Sequence, residues 1–277
     1  MVATSYNPVN SRPYSGSRSV TTVAAESPAP KGLADDYYDE VGDAADRDRY
    51  YAGVKDSFDD GDGKGLYDDL NRLISKGTRD LGYKGARQEL YKEIDRRPDG
   101  NLYYLYSGDG PKNEKDVSSL EPKTLENYNC EHVVPQSWFQ ERLPMKADLH
   151  HLFTEEIQCN GSRGNLEFEE LGEGGGREIE SCGILNPGES FEPHAGKGEV
   201  ARATLYFVTR HPGYVGDGRE SKLADVETLL KWHREYPVTD YERHRNDKIE
   251  EVQGNRNPYI DFPELAEKVD FSRGFKA

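Results

Sequence analysis

Apolar residues are thinly spread along this chain and fall into short periodic runs separated by glycine, proline and charge. In "GLYDDLNRLISKG" (residues 65–77) Leu66, Leu70, Leu73 and Ile74 recur at helical spacing, and Lys76 with Gly77 supplies a C-terminal stop. "ARQELYKEIDRR" (86–97) repeats the pattern with Leu90, Tyr91 and Ile94, and "NLYYLYS" (101–107) reads as a tyrosine-rich strand ended by Gly108. In "NCEHVVPQSWF" (129–139) Val133 and Val134 favour extended backbone and Pro135 blocks its continuation, so Glu131 and His132 sit near a strand end. "DLHHLF" (148–153) reads as a second short strand. Thr154 is then a helix N-cap, with Glu155 and Glu156 in the first turn of a short helix bearing Asn160, Arg163 and Asn165. The glycine-rich stretch 171–190 reads as an irregular loop. "EVARATLYFVTRH" (199–211) predicts a buried helix, stretches 221–237 and 240–253 predict two more, and 254–269 closes the domain. No internal repeat interrupts this order.

Composition narrows the picture. Hydrophobic residues make up 34% of the 277, charged residues 32%, and mean hydropathy is -0.93, so the core must draw on the eighteen tyrosines. No run approaches the roughly 18 apolar residues of a membrane span. The net charge of -16 argues against a sequence-independent nucleic-acid coat, which neutralises phosphates with lysine and arginine. That charge is concentrated: between Asp35 and Asp62 stand eleven acidic residues against three basic ones. Residues 1–34, rich in Ser, Thr, Pro and Val without an apolar signal core, read as a disordered leader. Residues 35–64 read as an acidic linker or partly ordered lead-in, and 65–277 as one catalytic domain. "DDGDGKG" (59–65) fails the calcium-loop pattern and reads as a turn. Cys130, Cys159 and Cys182 form no CxxC pair; a Cys159–Cys182 bridge is favoured over a zinc site shared with His150 and His151.

The chemistry gathers in one strand–loop–strand–helix stretch. A neutral imidazole at His132 suits proton abstraction from water at neutral pH. The Glu131 carboxylate and an amide oxygen such as that of Asn160 are hard ligands, matched to Mg²⁺ or Ca²⁺. A guanidinium near them can hold a phosphate in two-pronged fashion. Base, hard cation and arginine together describe phosphodiester hydrolysis.

Five ordered stretches carry a resemblance: "EHVVPQSWF" (131–139), "PMKADLHHLF" (144–153), "CNGSRGN" (159–165), "KGEVARATLYFVTR" (197–210) and the segment 229–264. Over roughly 65–264 the chain resembles the endonuclease I family of bacterial, often secreted, non-specific nucleases. The resemblance implies an α+β fold with a ββα-metal (His-Me finger) core in a mostly helical domain. It makes His132 the general base and Glu131 and Asn160 the ligands of one Mg²⁺, with Ca²⁺ or Mn²⁺ as substitutes. It implies cleavage of DNA and RNA to 5′-phosphate and 3′-hydroxyl ends. Arg163 and Arg202 become phosphate-contact candidates, with a buried ion pair as the alternative for Arg202. Arg142, Asp148, His150 and Asn165 are further supporting or phosphate-contact candidates. "LFTEE" departs from the family's common "LFPTD", and Arg142 is the only arginine of a short inter-strand loop.

An acidic protein must still approach a polyanion. A local basic face of Lys123, Arg142, Lys146, Arg163, Arg202 and Arg210 is the expected answer, with the acidic segment remote or acting as a pseudo-substrate. A secreted or exported monomer is favoured, with no membrane association and an inhibitor protein among the candidate partners. Two other classes stay open: a catalytically silent binding module on the same scaffold, and a zinc hydrolase using His150 and His151.

Overall fold

The computed structural model describes residues 44–97, 101–108, 127–215 and 226–275. The leader, the lead-in before residue 44 and Lys123 lie outside the described residues. The fold is mixed α+β, with eight α-helices and two small sheets among the described residues. No described helix is long and apolar enough to cross a membrane.

Helix α1 (Ala44–Tyr51) precedes α2 (Gly63–Ser75), which begins where the Asp62 side chain accepts from the backbone N–H of Lys64. The acidic lead-in is thus helical from residue 44 and docks through Tyr51, which is fully buried, donates to Asp261 at 2.8 Å, and meets Phe58 and Phe262 edge-on. Helix α3 (Gly82–Glu89) runs on through a π-turn (Leu90–Ile94). The predicted strand at 101–107 is not one. It makes an isolated bridge between Leu102 and Arg96, and its later amides go to the Thr154 carbonyl and the Glu155 carboxylate instead of a ladder.

Strands β1 (Tyr128–His132) and β2 (Leu152–Glu156) pair antiparallel, Glu131 opposite Phe153 and His132 opposite Leu152. Helix α4 (Ile157–Arg163) follows directly. The second strand therefore begins later than its sequence pattern suggested, because Leu149–His151 form a 3₁₀ turn. Thr154 and Glu155 belong to β2, not to a helix N-terminus: they lie opposite Cys130 and Asn129 of β1, the Thr154 amide donates to Asp95 at 2.6 Å and its carbonyl accepts from Leu105, and the first amide of α4, Ile157, donates to the Asn127 carbonyl at 3.1 Å.

The glycine-rich stretch, expected to be irregular, builds most of the second sheet. Strands β3 (Glu167–Phe168), β4 (Arg177–Ile179), β5 (Gly183–Asn186) and β6 (Ser190–Pro193) lie in the order β3-β6-β5-β4, with only β3 and β6 parallel. Gly183 is required where β5 meets β6, since a Cβ there would lie 2.2 Å from the Glu192 carbonyl oxygen. A disulfide joins Cys159 of α4 to Cys182 just before β5.

Helix α5 (Lys197–Arg210) is buried at every position and packs against α2, α6 (Val226–Glu235) and α8 (Pro258–Asp261). Helix α7 (Asp240–Gln253) opens with a capping box between Thr239 and Glu242. Glu242 also anchors Arg202 of α5, at 2.5 and 2.8 Å, while the same guanidinium donates to the Tyr236 carbonyl. Arg202 is 1% exposed, so of its two readings the buried ion pair is the one observed. Breaking a buried pair leaves an uncompensated charge, at a cost of about 3–5 kcal/mol. Arg202→Met should lower unfolding stability by that order in urea titration; a loss below about 1 kcal/mol would contradict this structural role.

Candidate active site

Side-chain alternation along β1 places Asn129 and Glu131 on one face and Tyr128, Cys130 and His132 on the other. Helix α4 covers the first face. Asn160 Nδ2 donates to Asn129 Oδ1 at 2.7 Å, and one turn later Arg163 donates to Glu131 Oε1 at 2.7 Å. Residues three apart share a helix face, so one side of α4 holds both contacts. Arg163 also reaches the carbonyls of His132 (2.9 Å) and Val133 (2.7 Å), pinning the end of β1. Tyr106 adds a 2.6 Å hydrogen bond to the same Glu131 Oε1. Burial pushes the Glu131 carboxyl above its ordinary range, against the pull of Arg163 and Tyr106.

The other face of β1 packs on α3. Tyr128 meets Tyr91 edge-on, and the His132 ring lies 5.5 Å from that of Tyr83 and 5.6 Å from that of His151. His132 Nε2 is 3.1 Å from the Lys146 carbonyl. A carbonyl only accepts, so Nε2 carries the hydrogen and Nδ1 the lone pair. Burial, and then the neighbouring His151, lower the His132 pKa to about 3, which keeps the ring neutral. Glu131 and His132 thus leave opposite sides of one strand at its C-terminal end, tied together by Arg163.

Of the other candidates, Asp148 is a buried hub. Its carboxylate takes Arg210 at 2.6 Å, His211 at 2.9 Å and Gln253 at 2.8 Å, and accepts the His150 amide at 3.3 Å. His150 and His151 turn their Nε2 atoms to the carbonyls of Asn255 (3.1 Å) and Met145 (2.7 Å). Burial lowers each ring to about 4. Arg142 is exposed and donates to Gln140 at 2.6 Å, and Asn165 is exposed just beyond α4. Among the described residues, the one His/Cys/Asp/Glu group close enough to share a cation is Glu156, Cys159 and Cys182. It contains no histidine, and its two sulfurs are bonded to each other, so it offers no thiolate. Burial drives the remaining thiol, Cys130, up to about 12.

Sequence reasoning missed three residues that shape this site. Asn129 was readable, since it lies two positions before Glu131 and must share its strand face. Tyr106 and the Lys146 carbonyl were not, because they reach the site only through tertiary packing.

With the geometry in hand, comparison with known proteins makes the molecule a nuclease. The chain belongs to the Endonuclease I family, whose sequence profile matches residues 63–264. It is 34% identical over 242 residues to an extracellular ribonuclease of Bacillus subtilis (strain 168), covering 81% of this chain and 79% of that protein. It is 29% identical over 226 residues to an extracellular deoxyribonuclease of Aeromonas hydrophila, covering 69% of this chain and 94% of that protein. A periplasmic deoxyribonuclease of Aeromonas hydrophila is 31% identical over 121 residues, covering 42% of this chain and 48% of that protein. The family resemblance drawn from the sequence is borne out.

The Asp148 hub carries a pH signature. Burial alone would raise its pKa, but Arg210 and His211 hold it well below the ordinary aspartate value. A depressed folded-state pKa gives stability that is present above the unfolded value, near 3.9, and is lost as pH falls through the folded one. Asp148→Asn should therefore lower stability at pH 7 by about 3–5 kcal/mol and flatten the acid limb of a stability–pH curve. An unchanged acid limb would contradict the hub.

Proposed function

We propose that the protein is a metal-dependent, largely sequence-independent endonuclease acting on DNA and RNA. The observation that carries this reading is the shared α4 face, on which Asn160 and Arg163 meet Asn129 and Glu131 at the strand end that bears His132. Carboxylate and carboxamide oxygens form a hard donor set that fits Mg²⁺, with Mn²⁺ or Ca²⁺ as substitutes. The local bonds fit that assignment: Tyr106 and Arg163 both address Glu131 Oε1, so Oε2 is the proposed ligand atom. Asn129 ties Asn160 Nδ2, which makes Asn160 Oδ1 the second. When bound, the cation would act as a Lewis acid, stabilising charge that builds on the phosphate.

His132 is the proposed general base. Its Nδ1 lone pair takes a proton from water as the water oxygen bonds to phosphorus and the bond to the 3′-oxygen breaks; the departing 3′-oxygen takes its proton from a second water. The products are a 5′-phosphate and a 3′-hydroxyl. A base works best with a pKa near the operating pH. A phosphate dianion or diester beside the ring favours the imidazolium and raises the low value that burial sets. Arg163 is assigned to holding Glu131 and the strand end, Asp148 and His150 to the scaffold behind His132, and Arg202 to the α5–α7 core. Arg142 stays a phosphate-contact candidate, and Asn165 a weaker one.

Readout of phosphate and backbone carries no base code, in line with sequence tolerance. One of the similar proteins is a ribonuclease and another a deoxyribonuclease, which supports activity on both nucleic acids. Their extracellular and periplasmic descriptions favour export, and the Cys159–Cys182 bridge suits an oxidising compartment. Supercoiled plasmid should be nicked in Mg²⁺ and left intact in EDTA. His132→Ala should lose on the order of 10²- to 10⁴-fold in rate, and Glu131→Ala and Asn160→Ala should each raise the Mg²⁺ requirement. Full activity of His132→Ala, or activity with zinc alone, would overturn the assignment.

A further inference from the structure

The charge problem is sharper in the structure than in the sequence. Three of the six residues expected to form a basic face are spent internally: Arg163 on Glu131, Arg202 on Glu242 and Arg210 on Asp148. Lys123 lies outside the described residues. Beside His132, however, two cations flank a single aromatic ring. The Tyr83 ring of α3 lies 5.5 Å from the His132 ring; Lys146 Nζ sits 4.9 Å from the Tyr83 centroid, and the Arg87 guanidinium 5.2 Å from it.

We infer that Tyr83, Arg87 and Lys146 form the subsite that grips the nucleic-acid strand next to the scissile phosphate. The inference rests on the nuclease reading above, with His132 as its base. Lys146 comes from the loop between β1 and β2, and Arg87 from α3, so the two charges reach the ring from different elements. The ion-pair partner of Lys146 is Glu141, itself 58% exposed, and such a solvent-screened pair is worth little and yields readily to a phosphate. Tyr83 is only partly buried, and an aromatic ring with cations beside it is the arrangement that holds a strand by stacking bases and meeting the backbone together. Lys146 has two separable jobs: its backbone carbonyl fixes the His132 tautomer, and its ammonium meets substrate. Lys146→Ala removes the second and keeps the first.

The test uses the full chain and cleavage of a fluorescent oligonucleotide, single-stranded and duplex, at fixed Mg²⁺ with salt varied from about 50 to 200 mM. Each phosphate contact contributes roughly 0.7–0.9 to the slope of log affinity against log salt. Lys146→Ala and Arg87→Ala should each flatten the dependence of log kcat/KM by that amount and act mainly through KM. The wild-type advantage over each variant should shrink about threefold across that range. Tyr83→Leu should raise KM for the single strand more than for the duplex. Arg234→Ala on α6, whose partner is Glu267, serves as the control and should keep the wild-type slope. Wild-type slopes in both Lys146→Ala and Arg87→Ala, with melting temperatures unchanged, would overturn the subsite. The nuclease reading would stand in that case as long as His132→Ala remained inactive.

Discussion

The buried pair between Arg163 and Glu131 is the constraint on which the rest of the site depends. A carboxylate out of water is costly unless a charge and hydrogen bonds meet it, and Arg163 with Tyr106 does so. The same guanidinium closes off the end of β1 through two carbonyls, so α4 cannot shift without stranding Glu131. The Cys159–Cys182 bridge fastens α4 to the start of β5 in the second sheet. Between these two ties Asn160 has one place to be, against Asn129. A strand–loop–strand–helix unit becomes rigid enough to hold the two proposed oxygen ligands and an imidazole at one strand end.

The interior repeats this logic on a larger scale. Arg202, Arg210, Arg245 and Arg256 all sit in buried or nearly buried pairs with acidic partners, namely Glu242, Asp148, Asp95 and the trio Asp247, Glu250 and Asp261. A chain with only 34% hydrophobic residues thus builds much of its core specificity from ion pairs and tyrosines around the all-buried α5. One consequence is that these buried arginines are unavailable to substrate. Approach to a polyanion is what the proposed subsite beside His132 would supply.

Much of this was legible in the sequence because local rules coincide there. The β1 end and α5 follow from valines before proline and from an apolar run, and α7 lies over the stretch 240–253 predicted for it. The Glu131, His132 and Asn160 set is proposed from the family resemblance, and the structure gathers Glu131 and His132 at one strand end with α4 against it. The failures have one cause. At 101–107, at Thr154 and across 171–190, tertiary partners decide the backbone: the Glu155 carboxylate takes an amide that a ladder would have used, β1 claims the residues of a plausible helix cap, and β6 orders a glycine-rich loop by close approach. Arg202 shows the same limit. Its sequence position on an apolar helix allowed two fates, and only the location of Glu242 on another helix decides between them.

The central claim is that Glu131 and Asn160 hold one hard cation beside His132. Anomalous scattering from crystals soaked in Mn²⁺ locates such an ion directly. The account predicts a single strong peak within about 2.0–2.3 Å of an oxygen of each residue, close to the range for small divalent ions. A peak elsewhere, such as among the lead-in aspartates, with none between Glu131 and Asn160 at millimolar Mn²⁺, would contradict it.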